Sequence, residues 1–514
     1  MEREYLVGVD VGTTSIKVAI IDQEANLLGI SSSTYELITP NQDYVQIDTK
    51  SMWQAYMKCL RLLFQGKKIN PARIAGIGIS SLCPGLAAMG EEGEVLVEPI
   101  IYSDRRSTQE AELIKEAVGE EILFEITANN VMAGAISGTS MLWIKRNMPE
   151  VYAKTKYFGH VNTLLAQQMT GNFAIDYSNA SYTALFETAK GYQGQWSKEL
   201  CSKIGIDIRK LPPLMQSTDI VGVLIHPDML AMGIPKGTPV VIGGGDTACA
   251  TLAAGVTKAG DVCESVGTTN VLTICVDRPK FDRSFINRCH VIPNTWIYQG
   301  ALSHTGASYQ WFRDNFCQDL VEKAKGLEQN AFQLMNEEAG QANPGCDGVV
   351  FLPYMMGERS PIWDPYARGV FFGISLHTKR REMNRAIMEG CGYGLRQLCE
   401  IAERVTGKKI QTFYSIGGGA KSELWAQIKA DITGSDIHIL NMHDMAPVGA
   451  ALLAGTGTGV FENLQKASGK VHKTVYKEVR SSKSHQEIYE KRYQVYIGLY
   501  PQIKELYRIS SNLK

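Results

Sequence analysis

The chain has 514 residues, 44% of them hydrophobic and 20% charged, with a formal net charge of -1. That length exceeds one ordinary hydrophobic core and predicts two large domains. The near-zero charge gives no footprint for nucleic acid, and no run of about 18 apolar residues predicts a membrane span.

The first residues, Met1 to Glu4, lack the basic stretch and apolar core of a secretory leader. The 11 cysteines are scattered without a Cys-x-x-Cys pair, and no His-x-x-x-His or His-Glu-x-x-His pattern accompanies them. An odd set of buried-looking thiols predicts a reducing, cytoplasmic setting and argues against thiol catalysis or protein-bound zinc.

In chain order, residues 5–22 read as two β-rich runs joined by Gly12-Thr13-Thr14, a hairpin with a polar turn. Residues 48–65 read as an amphipathic helix capped by Asp48. A short buried strand follows at 74–79, and another from Pro239 runs through Gly243-Gly-Gly to Asp246. Residues 262–275 repeat the first hairpin, with Gly267-Thr268-Thr269 at the turn. Two copies of one design, near the starts of two equal halves, predict a duplicated α/β architecture with a cleft between the copies. Further on come a long helix from Asn384 to Val405, a strand at 413–416 ending in Gly417-Gly-Gly, and a helix around Pro447–Ala454. Gly455 to Gly459 reads as the stop of that last helix, and 483–508 as an aromatic-rich helix docked on the second domain. The division falls at 248/249, with the crossover lining the cleft.

Several of these residues point to phosphate chemistry. Exposed N–H groups and hydroxyls in a Gly-Thr-Thr turn bind phosphate oxygens. Asp10 ends a strand beside the first turn, which suits a magnesium ligand acting largely through water. Lys17, just past the turn, neutralises phosphate charge. Asp246, after three glycines at a strand end, sits where α/β proteins place ligand groups, and equally where a helix takes its N-cap. Gly417-Gly418-Gly419 through Ser422 is not a Walker loop; it offers either backbone for adenosine or a plain capping turn. His304, His377 and the Lys379-Arg-Arg-Glu run read as ordinary polar surface.

Taken together, Val7 to Lys17, Gly243 to Asp246, Ser265 to Thr269 and Ile416 to Ser422 resemble the FGGY carbohydrate kinases, nearest the xylulokinase-like branch. Phe351 to Ile374, continuing to Glu389, carries the most specific part of the resemblance. It implies two actin-like ATPase (RNase H-like) domains closing on a sugar and ATP. It implies Asp246 as catalytic base and Asp10 as the Mg²⁺–phosphate aspartate. Gly12, Thr13, Thr14, Lys17, Gly267, Thr268 and Thr269 then serve phosphate, and Gly306, Gln310, Gly418, Gly419 and Ser422 the rest of the nucleotide. Leu82, Cys83, Pro84, Asp104, Asp246 and Thr247 face the sugar. Members of that family are often dimers, though the sequence shows no interface signal.

The departures cluster around the sugar. Ser81-Leu-Cys-Pro-Gly85 replaces a Gln-Met-His reader segment, Thr247 replaces Asn after the base, and Ser140 and Asn162 stand at positions usually Lys and acidic. Losing such hydrogen-bonding groups changes specificity strongly. The implied acceptor is a ketose, D-xylulose first, with L-xylulose, ribulose or a tetritol behind it. A catalytically silent sensor on the same fold is disfavoured by the intact aspartates. An actin-like assembly or chaperone protein is disfavoured by the lack of an inserted peptide-binding module.

Overall fold

In a computed structural model, residues 4–66, 69–441, 444–471 and 475–511 are described. The first sheet contains β1 (Tyr5–Val11), β2 (Ser15–Ile21), β3 (Leu27–Thr34), β4 (Ile74–Ser81), β5 (Ile220–Val223) and β6 (Pro239–Gly245), ordered β5-β6-β4-β1-β2-β3. The second contains β7 (Val262–Val266), β8 (Asn270–Val276), β9 (Ile286–Cys289), β10 (Trp296–Leu302), β11 (Thr412–Ile416), β12 (Asp436–Leu440) and β13 (Val475–Val479), ordered β9-β10-β8-β7-β11-β12-β13.

The two sheets share one plan. β1–β2–β3 is an antiparallel meander, and β1 then pairs in parallel with β4, which pairs in parallel with β6. β7, β8, β10, β11 and β12 repeat those relations strand for strand. β1, β4 and β6 are buried almost throughout and read as continuous apolar runs, as strands covered on both faces do. A smaller five-stranded sheet, built from residues 37–38, 46–47, 85–89, 95–101 and 157–160, is inserted in the first half.

The first long helix, Thr49–Gly66, starts where expected, with Asp48 accepting from the Ser51 backbone N–H at 2.7 Å. The long helix of the second half runs Arg380–Thr406, four residues earlier than its sequence pattern suggested, because Glu382 closes a capping box on Lys379. Arg380 is also not plain solvated surface, since it is paired with Asp319 and Glu338. The last helix, Gln486–Ser511, buries Tyr489, Tyr493 and Tyr496 in the second-half core.

Two helices link the halves. Asp246–Ala254 leaves β6 and packs toward Cys263, Cys275 and Ile416 of the second sheet. Met445–Gly457 leaves β12 and returns to the first sheet, where a side chain on Gly8 or Gly78 would strike its Pro447 or Ala450 carbonyl. A division of the chain at 248/249 therefore misses one exchange: this late helix completes the early sheet. It ends at Gly457, inside the Gly455–Gly459 segment expected to stop it. The two helices cross so closely that a Cβ on Gly449 would lie 1.9 Å from the Cys249 carbonyl oxygen.

Candidate active site

β1 carries Asp10 to the mouth of the cleft between the two sheets, and its parallel neighbour β4 brings Ser80 alongside. The Ser80 hydroxyl donates to Asp10 Oδ1 at 2.7 Å. Burial, reinforced by the charge of Asp246, pushes the Asp10 carboxyl up to about 7, while Ser80 and Lys17 oppose the rise. The Gly12 N–H donates to the Ser15 carbonyl at 2.9 Å and closes the turn, leaving Thr14 exposed. The Thr13 hydroxyl lies 3.0 Å from the Tyr102 hydroxyl. Lys17 reaches across to Asp444 at 2.5 Å.

Asp10, Gly12, Thr13, Lys17, Asp246 and Thr247 line one cavity of about 480 Å³. A second, of about 530 Å³, is lined by Gly267, Thr268, Gly306, Gln310, Gly418, Gly419 and Ser422, together with Asn330, Phe332, Asn336 and Trp425. Gly418 borders both, so the two form one trough. The Gly267 turn is pressed against the start of the Thr305–Phe316 helix, whose Ala307 N–H donates to the Thr268 carbonyl at 3.0 Å. Gly418, Gly419 and Ser422 wall the second cavity, and the capping turn the sequence offered is present, with Ser422 capping Glu423–Thr433. Thr269 stands at the turn without lining either cavity.

Among the described residues no three His, Cys, Asp or Glu side chains converge as a metal cage. Asp10 alone, in a cavity shaped by a phosphate-type turn, fits Mg²⁺, which takes one or two carboxylates and fills its remaining positions with phosphate and water.

Asp246 is the first residue of its helix and is half-buried at the cleft. Its Oδ1 accepts from the Thr247 N–H at 2.5 Å and from the Thr247 hydroxyl at 3.2 Å. Burial raises its pKa, and the positive charge of Arg288 works against that rise. The strand leading to it bends at Gly243, where φ is +73° and a Cβ would fall 1.7 Å from the Ile79 carbonyl oxygen. Only glycine fits there.

Three expected sugar-facing residues are placed differently. Leu82 is 1% exposed and belongs to the core of the first half, because its N–H is drawn in to the Val11 carbonyl. Pro84 is buried too, which leaves Cys83 as the partly exposed member of that segment. Asp104 is buried and fully engaged by Arg106 and the Val45 N–H, with Arg106 stacked over Tyr44 and Trp143. Asp104 holds its loop in shape, while Tyr102 carries that loop's contact to the phosphate turn.

Sequence reading missed His160 and Arg288. His160 lies 3.8 Å from the Cys83 sulfur and is fixed by Asn179 and Ser137, with burial lowering its pKa to about 4. Asn162 donates to the buried Asp176 at 2.9 Å, whose carboxylate also accepts from Ser178 and Asn179 and caps the short helix after it. Arg288 enters from β9 of the opposite half, and no local motif announces it.

A model of the N-terminal domain of the FGGY family of carbohydrate kinases matches residues 5–253, and the C-terminal domain model matches 263–458. A xylulose kinase of Bacillus subtilis is 30% identical over 469 residues, covering 90% of each chain. A gluconokinase of the same organism is 27% identical over 471 residues, covering 91% of each. The ligand-bound xylulose kinase structure from Lactobacillus acidophilus superposes with a TM-score of 0.89 at 23% identity, over 98% of this chain and 99% of that one. The duplicated sheets and the paired domain matches carry one conclusion: the chain belongs to the FGGY family of carbohydrate kinases.

Proposed function

We propose that the protein transfers the γ-phosphate of ATP to a primary hydroxyl of a small ketose, with D-xylulose the first acceptor to test. The observation that carries this reading is the continuous trough from the Gly418 segment to Asp10 and Asp246. It has room for a nucleoside at one end and ends on two carboxylates at the other. Asp246 takes the proton of the acceptor hydroxyl as that oxygen bonds to phosphorus and the bond to ADP breaks. Burial raises its pKa, which strengthens it as a base, while Arg288 and Thr247 oppose the rise. Asp10 would hold Mg²⁺, which offsets phosphate charge when bound. The turns at Thr13 and Thr268 orient the phosphates, and closure of the cleft keeps out water as a competing acceptor. Xylulose kinases among the relatives support the ketose reading. Gluconokinases among them support a sugar acid as a second reading, favoured by the buried Arg288.

The test is Asp246→Asn. Turnover should fall by at least about 10²-fold, the scale of general-base help, with ATP affinity retained. Near-normal acceptor-dependent ADP release in that variant would remove Asp246 from its assigned role.

A further inference from the structure

Two tyrosines grip the first phosphate turn from different parts of the chain. Tyr35, 8% exposed, donates its hydroxyl to the Gly12 carbonyl, and its N–H donates to the Thr14 carbonyl at 3.3 Å. Burial raises the pKa of that hydroxyl, so it keeps the proton it donates. Tyr102 approaches from the other side of the turn's sequence, and its hydroxyl lies 3.0 Å from that of Thr13. Among the described residues no hydrogen bond takes up the N–H of Thr13 or of Thr14. The carbonyls of Gly12 and Thr14 are thus engaged, while two N–H groups stay free for an anion.

Tyr102 is itself 39% exposed, yet its backbone is braced. Arg105 Nη1 donates to the carbonyls of Tyr102, Asp104 and Ala133 at 2.9, 3.0 and 3.2 Å. The Arg105 N–H donates to the Asp43 carbonyl at 2.8 Å, and Asp104 is held by Arg106 and the Val45 N–H. The hydroxyl is therefore offered to Thr13 from a fixed loop. Thr13 lines the cavity of Asp10 and Asp246, the reacting end of the trough; Tyr102 does not. A threonine hydroxyl accepts one bond while donating another, and its branched side chain has few rotamers to choose from. A phosphate oxygen only accepts. Thr13 must then give its hydrogen to the phosphate, which leaves Tyr102 as the donor to Thr13 Oγ1. Each bond of such a chain strengthens the next.

We propose that Tyr102 is a positioning residue of this kinase, whose hydroxyl orients that of Thr13 to donate to the terminal phosphate of ATP. The proposal rests on the kinase reading of the site and adds to it a residue outside the cavity wall.

Titration calorimetry with the full chain separates the terminal phosphates from the rest of the nucleotide. It follows binding of AMP and of the non-hydrolysable triphosphate analogue AMPPNP with Mg²⁺. The proteins are the wild type, Tyr102→Phe, Thr13→Val and the double variant, with melting temperature as the control for folding. Tyr102→Phe keeps the ring and loses only the hydroxyl. It should weaken AMPPNP binding by about 3–10-fold, the scale of one neutral hydrogen bond, and leave AMP binding unchanged. The double variant should bind AMPPNP about as well as Thr13→Val alone, because Tyr102 acts only through that hydroxyl. Unchanged AMPPNP affinity in Tyr102→Phe, an equal loss for AMP, or losses that multiply in the double variant would overturn the proposal and leave the kinase reading standing. A wild type that binds neither nucleotide would fault the kinase reading itself, and the proposal with it.

Discussion

Lys17 Nζ lies 2.5 Å from Asp444 Oδ1, joining the first phosphate hairpin to the residue that precedes the returning helix Met445–Gly457. Both side chains are about one-third exposed, at 30% and 36%, so the pair contributes no more than about 1 kcal/mol. A triphosphate is a stronger partner for Lys17 than one half-solvated carboxylate. On the proposed reading of the site, Asp444 competes with phosphate for Lys17. Asp444→Asn should change unfolding free energy by less than about 1 kcal/mol, and should lower the KM for ATP a fewfold. Lys17→Met should raise that KM by about tenfold and leave the acceptor KM nearly unchanged. Urea unfolding and steady-state kinetics check both arms; an ATP KM indifferent to Lys17 removes it from phosphate binding.

The second hairpin has its own acid, and it is put to a different use. Glu264 stands opposite Ser415 on the parallel neighbour strand, as Asp10 stands opposite Ser80. Here, however, Lys429 Nζ sits 2.6 Å from Glu264 in full burial, and Asn270 and Ser415 complete the carboxylate. Lys429→Met should cost about 3–5 kcal/mol by stranding Glu264, and adding Glu264→Gln should restore part of it. Equilibrium unfolding of the three variants checks this, and equal losses in single and double variants would contradict it.

Glu358 supplies a pH test. Burial raises its pKa to about 7, against donations from the Ser303 and Arg359 N–H groups. A carboxyl whose pKa is higher folded than unfolded keeps its proton in the native state. Stability is therefore lost as pH rises from about 4.5 to about 7, and changes no further above that. Glu358→Gln cannot ionise and should not share this loss. Its melting temperature relative to the wild type should climb between pH 5 and pH 8. A difference that stays constant with pH would show Glu358 ionised throughout.

The fold was legible because its cues are local: a turn of Gly-Thr-Thr between apolar runs, Asp48 ahead of an amphipathic stretch, three glycines closing β6. The same holds for much of the cavity lining, since Gly267, Thr268, Gly418 and Gly419 are backbone turns that a short motif spells out. Leu82 was misplaced because its segment was read for what it lacks, when a backbone bond to Val11 turns that side chain inward. Asp104 sits in a matching motif, but whether a carboxylate is open or consumed depends on Arg106 and Val45, which no spacing encodes. Arg288 was invisible for the same reason. Its neighbours Tyr182 and Gly245 are remote in sequence, and only the meeting of the two halves brings it beside Gly245.

The backbone contact of Gly449 with Cys249 constrains how the molecule works as a machine. The polypeptide leaves the first sheet through Asp246–Ala254, comes back to it through Met445–Gly457 and rejoins the second sheet at β13, and the two helices touch backbone to backbone at Gly449 and Cys249. Sliding one half past the other would drive main chain into main chain. What remains is a swing about the crossing point, like the blades of scissors about their rivet. Asp246 begins one of these two helices, and Asp444 precedes the other, so the crossing fixes the floor of the cavity that Asp10 and Asp246 line.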